Sequence, residues 1–169
     1  MDMNYCMQCG ARLRMKDHET EGRPVPWCDA CGEYRFPVFN AAVSMVVFSP
    51  DRGRILLIQQ YGKPFYILPA GYINKGEDAE DAVRRELAEE LGLAVRALRF
   101  NRSRYFPPSN TLLLNFDVTV EDAPPAPNWE VDAWRWFTPE EAKVHIKPDS
   151  YAQAFLLHDL ENASKGSRP

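Results

Sequence analysis

Gly71–Leu93 reads GYINKGEDAEDAVRRELAEELGL. Glu86, Glu89 and Glu90 stand in it at i, i+3 and i+4, and at about 100° per residue those positions share one side of a helix. Val83, Leu87 and Leu91 form an adjoining apolar stripe, so the same helix has one edge for a core and one edge of acids. Like charges at this spacing repel, and a chain that keeps them needs a cation to offset the repulsion. Carboxylate oxygens are hard ligands that suit Mg2+ or Mn2+, and such ions keep positions open for water and phosphate oxygens.

Leu68-Pro69-Ala70-Gly71 ends a strand-like run just before this segment. Asn74-Lys75-Gly76-Glu77-Asp78 then supplies a glycine for an unusual backbone angle and acids for a helix start. Working outward, Ala42–Phe48 and Ile55–Gln60 are β-rich runs joined by Ser49-Pro50-Asp51-Arg52-Gly53, which predicts a hairpin, and Tyr66–Leu68 leads into the acidic segment. On the other side, strands are expected at Val95–Phe100, Thr111–Val120 and Ala133–Phe137. Thr111–Val120 opens with a leucine triplet and then alternates, which predicts burial on both faces and then on one. Ala123–Pro127 carries three prolines and is loop. Thr138 caps a helix with Pro139 at its first position, and Ser150–Leu160 is an amphipathic closing helix. The pattern is α/β: a mixed sheet covered on two sides. Phe116 and one of Trp134 and Trp136 are expected in the core, while His18, His145 and His158 show no ligand or triad spacing and are expected at the surface or as caps.

The 169 residues carry a formal charge of -4 and no apolar run near twenty, so neither a membrane span nor a signal peptide is expected. The charge gives no general attraction to nucleic acid, and a cytoplasmic location fits the cysteines. All four fall before residue 32, in the pairs Cys6-Met-Gln-Cys9-Gly10 and Cys28-Asp-Ala-Cys31-Gly32. This spacing predicts a tetrahedral structural zinc site that supports folding. A redox dithiol is the competing reading, but it is normally single and sits beside a βαβ pattern. Residues 1–35 hold five basic and six acidic side chains, which favours a packing or dimer-forming role for the ribbon over contact with nucleic acid.

Gly71, five residues, Glu77, seven residues and then Arg85-Glu86-Leu87-Ala88-Glu89-Glu90-Leu91-Gly92-Leu93 resembles the signature of the Nudix hydrolases, with every defined position filled. The resemblance covers roughly Phe39–Leu160 and implies a Nudix-type α/β/α sandwich. The expected division is a small zinc ribbon at 1–36, a Nudix domain at 37–161 and a flexible tail at 162–169. What the resemblance implies is a pyrophosphohydrolase that cuts the diphosphate linkage of a nucleoside diphosphate derivative and releases a nucleoside monophosphate. Carried over by position, Glu86, Glu89 and Glu90 are ligands of Mg2+ or Mn2+, the Gly71 carbonyl is a further one, and Glu77 and Arg85 brace the loop against the helix. The general base is Glu89 or Glu130, and Glu130 could also serve as an additional ligand.

A zinc ribbon ahead of a Nudix domain resembles the NADH pyrophosphatase branch, some members of which remove NAD caps from RNA. Ser103-Arg104-Tyr105-Phe106-Pro107-Pro108-Ser109 keeps parts of that branch's motif but is two residues shorter and lacks its Gln-Pro-Trp core. Leu68-Pro69-Ala70-Gly71 and the two prolines resemble ADP-ribose pyrophosphatases. NAD(H) and ADP-ribose are therefore the expected substrates, with Tyr66, Arg104, Tyr105 and Phe106 as candidate contacts. The partners implied are a small nucleotide and, by resemblance, a second copy in a homodimer, with no membrane and no nucleic acid expected. The competing class is a non-catalytic Nudix ligand-sensing module whose ribbon contacts protein or nucleic acid. The filled signature favours the enzyme.

Overall fold

The computed structural model describes residues 3–166. The chain divides into two compact units, Met1–Phe39 and Asn40–Pro169.

The first unit is a three-stranded antiparallel sheet of β1 (Arg14–Asp17), β2 (Pro24–Cys28) and β3 (Glu33–Tyr34). Among the described residues its buried apolar side chains are Cys6, Val25 and Cys28, too few to hold a unit of this size by burial alone. Both cysteine pairs close the same turn. The Gly10 amide donates to the Cys6 carbonyl at 2.8 Å and the Gly32 amide to the Cys28 carbonyl at 2.9 Å, with both glycines left-handed at φ 74° and 68°.

The second unit is built on a mixed sheet of β4 (Asn40–Phe48), β5 (Ile55–Gln60), β6 (Ala70–Tyr72), β7 (Val95–Phe106), β8 (Thr111–Val120) and β9 (Val131–Phe137), ordered β7-β8-β4-β5-β9 with β6 also paired to β4. Only β4 and β8 run parallel. The helices are α1 (Ala79–Leu91), α2 (Pro139–His145) and α3 (Tyr151–Gly166). Alternation in β4 and β5 builds two cores. Val43, Met45, Val47, Leu56 and Ile58 meet Val83, Leu87 and Leu91 of α1, while Val46, Phe48, Ile55 and Leu57 meet Ala142, Phe155 and Leu156 of the other helices. The central strands are thus buried on both faces, which is why they read as continuous apolar runs. This is an α/β/α sandwich.

Thr138 forms a full capping box with Glu141. Arg52 in the hairpin turn and Arg99 in β7 both bond the buried Asp117 of β8, and Arg99 reaches Asp159 of α3, tying four elements together on the α3 face. Among the described residues no helix is long and apolar enough to cross a membrane.

Several expectations change. β7 continues to Phe106, so Ser103–Phe106 is strand paired with Thr111–Leu114 rather than loop. Trp134 and Trp136 both pack against the α1-side core, because residues two apart share a strand face. α3 runs on through Asn162 to Gly166, well past Leu160, and of the tail expected at 162–169 only residues 167–169 lie outside the described residues. His145 stacks on Phe137, His18 packs on Tyr34, and His158 Nδ1 lies 2.8 Å from Asn101 Oδ1.

Candidate active site

The acidic helix starts after the loop at Asn74–Asp78 and stops at Gly92, whose left-handed φ of 64° ends it with its amide on the Ala88 carbonyl. Its polar edge borders a cavity of about 460 Å3. Glu86, Glu89 and Glu90 line that cavity together with Gly71 and Tyr72 from β6, Gln60 and Tyr61 from the end of β5, and Glu130 from the loop before β9.

Each carboxylate is held differently. Glu90 is buried at 4 % exposure; its Oε1 accepts from Gln60 Nε2 at 3.1 Å, and its Oε2 has no hydrogen-bond partner. Burial pushes its carboxyl up to about 7, and the charges of Glu86, Glu130 and Glu89 push the same way while the Gln60 bond opposes them. Glu86 Oε1 and Glu89 Oε2 both accept from Arg85 Nη1, at 2.7 and 3.1 Å. The rest of the Arg85 guanidinium grips Glu77 by Nε at 2.6 Å and Nη2 at 2.9 Å and reaches the Tyr72 carbonyl at 2.9 Å. This fork holds the Glu77 carboxyl down at about 2, helped by the Asn74 amide, so loop and helix are locked by a charge pair that stays ionised across the working pH range. Gly71 lacks a side chain where one would collide: a Cβ there would lie 1.9 Å from the Glu86 carboxyl carbon.

Glu130 arrives by main-chain contacts. Within the proline-rich stretch the Ala126 amide donates to the Leu91 carbonyl at 2.7 Å, and just after it the Asn128 amide donates to the Glu90 carbonyl at 2.9 Å. The Asn128 side chain then accepts from the Glu130 amide at 2.8 Å. The loop is therefore fastened to the C-terminal turn of the helix that carries the other acids.

The carboxylates fit a divalent cation. A buried carboxylate oxygen without a partner, a side-chain-free approach at Gly71 and an all-oxygen donor set are what a hard ion requires. Their oxygens are not gathered, however. Among the described residues, the one group of three or more ligand-type side chains with donor atoms within 4.8 Å of one another is Cys6, Cys9, Cys28 and Cys31. The Cys6–Cys31 and Cys9–Cys28 sulfurs are 3.9 and 3.5 Å apart. Thiolates around zinc at its usual bond length would be about 3.8 Å apart, whereas a disulfide would need about 2 Å. Arg35 Nε donates to Cys6 Sγ at 3.1 Å and pulls that thiol down to about 6, while hydrogen bonding with Cys9 and burial push Cys31 up to about 12.

The expected substrate contacts are not at this cavity. Tyr66 packs edge-on against Phe137 in the second core, Phe106 packs on Tyr151, Arg104 lies over the Tyr151 ring, and the Tyr105 hydroxyl donates to Asn110. The aromatics that do line the cavity are Tyr61 and Tyr72, and Ser109 and Thr111 line it as well. Gln60, Tyr61 and Asn128 carry no motif signal and meet the acids only through the fold.

The profile of the NUDIX domain matches residues 38–158. The chain belongs to the NUDIX family. It is 27% identical over 135 residues to the NAD-capped RNA hydrolase NudC of Pseudomonas aeruginosa, covering 79% of this chain and 47% of that one. This NUDIX chain spans about half the length of the curated relatives it matches. Among solved structures, a NUDIX hydrolase from Nitrosomonas europaea superposes with a TM-score of 0.69 at 20% identity, over 99% of this chain and 95% of that one. The NUDIX domain of Shewanella oneidensis NrtR, solved with ADP ribose, superposes with a TM-score of 0.64 at 16% identity, over 80% and 99%. Both likenesses establish the NUDIX fold.

Proposed function

We propose that this NUDIX protein hydrolyses the diphosphate linkage of a nucleoside diphosphate derivative, with NAD(H) or ADP-ribose as substrate, using Mg2+ or Mn2+ at the acidic cavity. The observation that carries this reading is Glu90: a buried carboxylate with one oxygen unpartnered, inside a cavity walled by Glu86, Glu89 and Glu130. Glu86, Glu89 and Glu90 would hold the ion, with the Gly71 carbonyl beside them. When bound there, a divalent cation would neutralise the diphosphate and acidify a water.

The protein's own groups supply the remainder. Gln60 holds Oε1 of Glu90 and leaves Oε2 as the oxygen that would meet the ion. Arg85 bonds one oxygen each of Glu86 and Glu89, so that the second oxygen of each would be available to the ion, while Glu77 keeps the guanidinium in place. Glu130 stands on a different element from the ligand set and takes the proton from the attacking water. The oxygen of that water bonds to phosphorus, the bridging P–O bond breaks, and a nucleoside monophosphate and a phosphorylated remainder leave. In the first unit, Cys6, Cys9, Cys28 and Cys31 would hold a structural Zn2+ that takes no part in the reaction.

The relatives named for NAD-capped RNA support a nicotinamide dinucleotide end as substrate and put capped RNA among the substrates to try, against the expectation from net charge. The test is a panel of NADH, NAD+, ADP-ribose, NAD-capped RNA and nucleoside triphosphates with Mg2+ or Mn2+, with products identified by mass. Nucleoside monophosphate from NADH or ADP-ribose is the expected result. Tight binding without turnover of any of them, with metal bound, would leave the sensing module as the correct reading.

Gly71→Ala gives a sharper check. The backbone angle at Gly71 is not left-handed, so alanine causes no backbone strain; what it displaces is the Glu86 carboxylate. The variant is expected to keep its melting midpoint and to lose about 100-fold in kcat/KM. An active Gly71→Ala protein would remove Glu86 from the ligand set.

A further inference from the structure

β5 ends in a turn that its residues do not suit. Tyr61 and Gly62 have φ of 55° and 66°, and the Lys63 amide donates to the Gln60 carbonyl at 3.1 Å. Two consecutive left-handed residues make the mirror-image turn that favours Asn-Gly or Asp-Gly. An aromatic side chain is disfavoured in that region of backbone space. The turn is nevertheless held firmly: the Gly62 amide donates to Asp132 Oδ2 at 2.6 Å, where the pairing of β5 with β9 slips at Gln59/Gln60.

The conformation has a result at the cavity. Tyr61 is 65% exposed, so the core gains little from it, and its hydroxyl donates to Glu130 Oε2 at 2.9 Å. Both residues line the acidic cavity, and Glu130 is otherwise fastened only through the loop backbone and Asn128. A turn shaped for its own sake would carry asparagine at position 61. An exposed tyrosine held there against its preference, with its hydroxyl on a loop carboxylate, points to selection for that bond.

We propose that Tyr61 is a positioning residue that holds the Glu130 carboxylate in the cavity, taking Oε2 as acceptor and leaving Oε1 to receive the proton of the attacking water. This rests on the reading of Glu130 as the base in diphosphate hydrolysis. A glutamate on a loop has several accessible side-chain rotamers, and the hydroxyl selects one of them before substrate arrives.

The test compares the full-length wild type with Tyr61→Phe, Tyr61→Asn, Glu130→Gln and the Tyr61→Phe/Glu130→Gln double variant. Hydrolysis of NADH and ADP-ribose with Mg2+ is measured alongside thermal melting. Tyr61→Phe keeps the ring and is expected to lower kcat about tenfold with KM unchanged. On the Glu130→Gln background the same change is expected to alter kcat by less than about twofold, because the group it positions has gone. Tyr61→Asn suits the turn and is expected to melt about 2 °C or more above Tyr61→Phe, yet to be no more active. Wild-type kcat in Tyr61→Phe, independent losses in the double variant, or activity that rises with melting temperature in Tyr61→Asn would each overturn the proposal. A wild type inert toward both substrates overturns the proposed function itself, and the wild-type arm alone reveals that outcome.

Discussion

Glu90→Gln is expected to lower kcat/KM for the diphosphate substrate by about 1,000-fold or more, while leaving the metal-free protein at least as stable as the parent at pH 8. The two effects have one cause. Glu90 is buried, its Oε2 has no partner, and burial raises its carboxyl to about 7. A carboxyl whose folded pKa lies above its unfolded value, about 4.3 for glutamate, binds its proton more tightly in the folded chain. That contribution to stability is fully present below the unfolded value and is lost as pH rises through about 7. At pH 8 the metal-free fold therefore carries an uncompensated buried charge. Glutamine keeps the shape and the bond from Gln60 and removes that charge. Mn2+ should then raise the melting midpoint of the wild type more than that of the variant, which keeps Glu86 and Glu89 but has lost the buried anion. Melting curves at pH 5 and pH 8, with and without Mn2+, check each sign. An active variant, or one that Mn2+ stabilises as strongly as the wild type, would show that Glu90 is not a ligand.

The second large effect belongs to the cysteines. Among the described residues the first unit buries only Cys6, Val25 and Cys28 of its apolar side chains, so a metal held by the four cysteines, as proposed, would supply most of its folding energy. Structural zinc contributes roughly 10 kcal/mol or more in small domains. The purified protein is expected to hold one zinc per chain. Cys28→Ser is expected to lose it, because Cys28 is fully buried and its sulfur lies 3.5 Å from that of Cys9. Hydrogen exchange should then show residues 3–39 unprotected, while the second unit, with two cores of its own, keeps its protection. A metal-free protein with protected N-terminal amides would overturn the zinc assignment.

The acidic helix was readable from sequence because two periodicities coincide in it. Val83, Leu87 and Leu91 repeat toward the core, and Glu86, Glu89 and Glu90 repeat beside them. The paired cysteines were equally readable, since ligand spacing in a short chain leaves few alternatives. Less legible were the surroundings of residues whose neighbours come from distant strands. Arg104, Tyr105 and Phe106 read as loop because β7 is an edge strand whose exposed residues include Arg104 and Tyr105, so it lacks an apolar run, and its partners Leu112 and Leu113 supply the pairing instead. Tyr66 looked available for a base, but a bridge to Ile146 and the Phe137 ring draw it into the second core. Gln60 and Tyr61 meet Glu90 and Glu130 across 30 and 69 residues, a relation no local pattern encodes.

The bonds from the Ala126 and Asn128 amides to the last turn of α1 also govern how this region can change. An amide and a carbonyl are common to almost every residue, so these two bonds ask only that positions 126 and 128 not be proline, while Asn128 is also held to its identity by the side-chain bond it accepts from the Glu130 amide. The length of the connection from β8 to Glu130 is another matter. A single inserted or deleted residue would shift which amide meets which carbonyl and swing Glu130 away from Glu90, even with every acidic side chain retained. Chimeras with related proteins should therefore exchange this connection residue for residue, and place any change of length elsewhere in the chain.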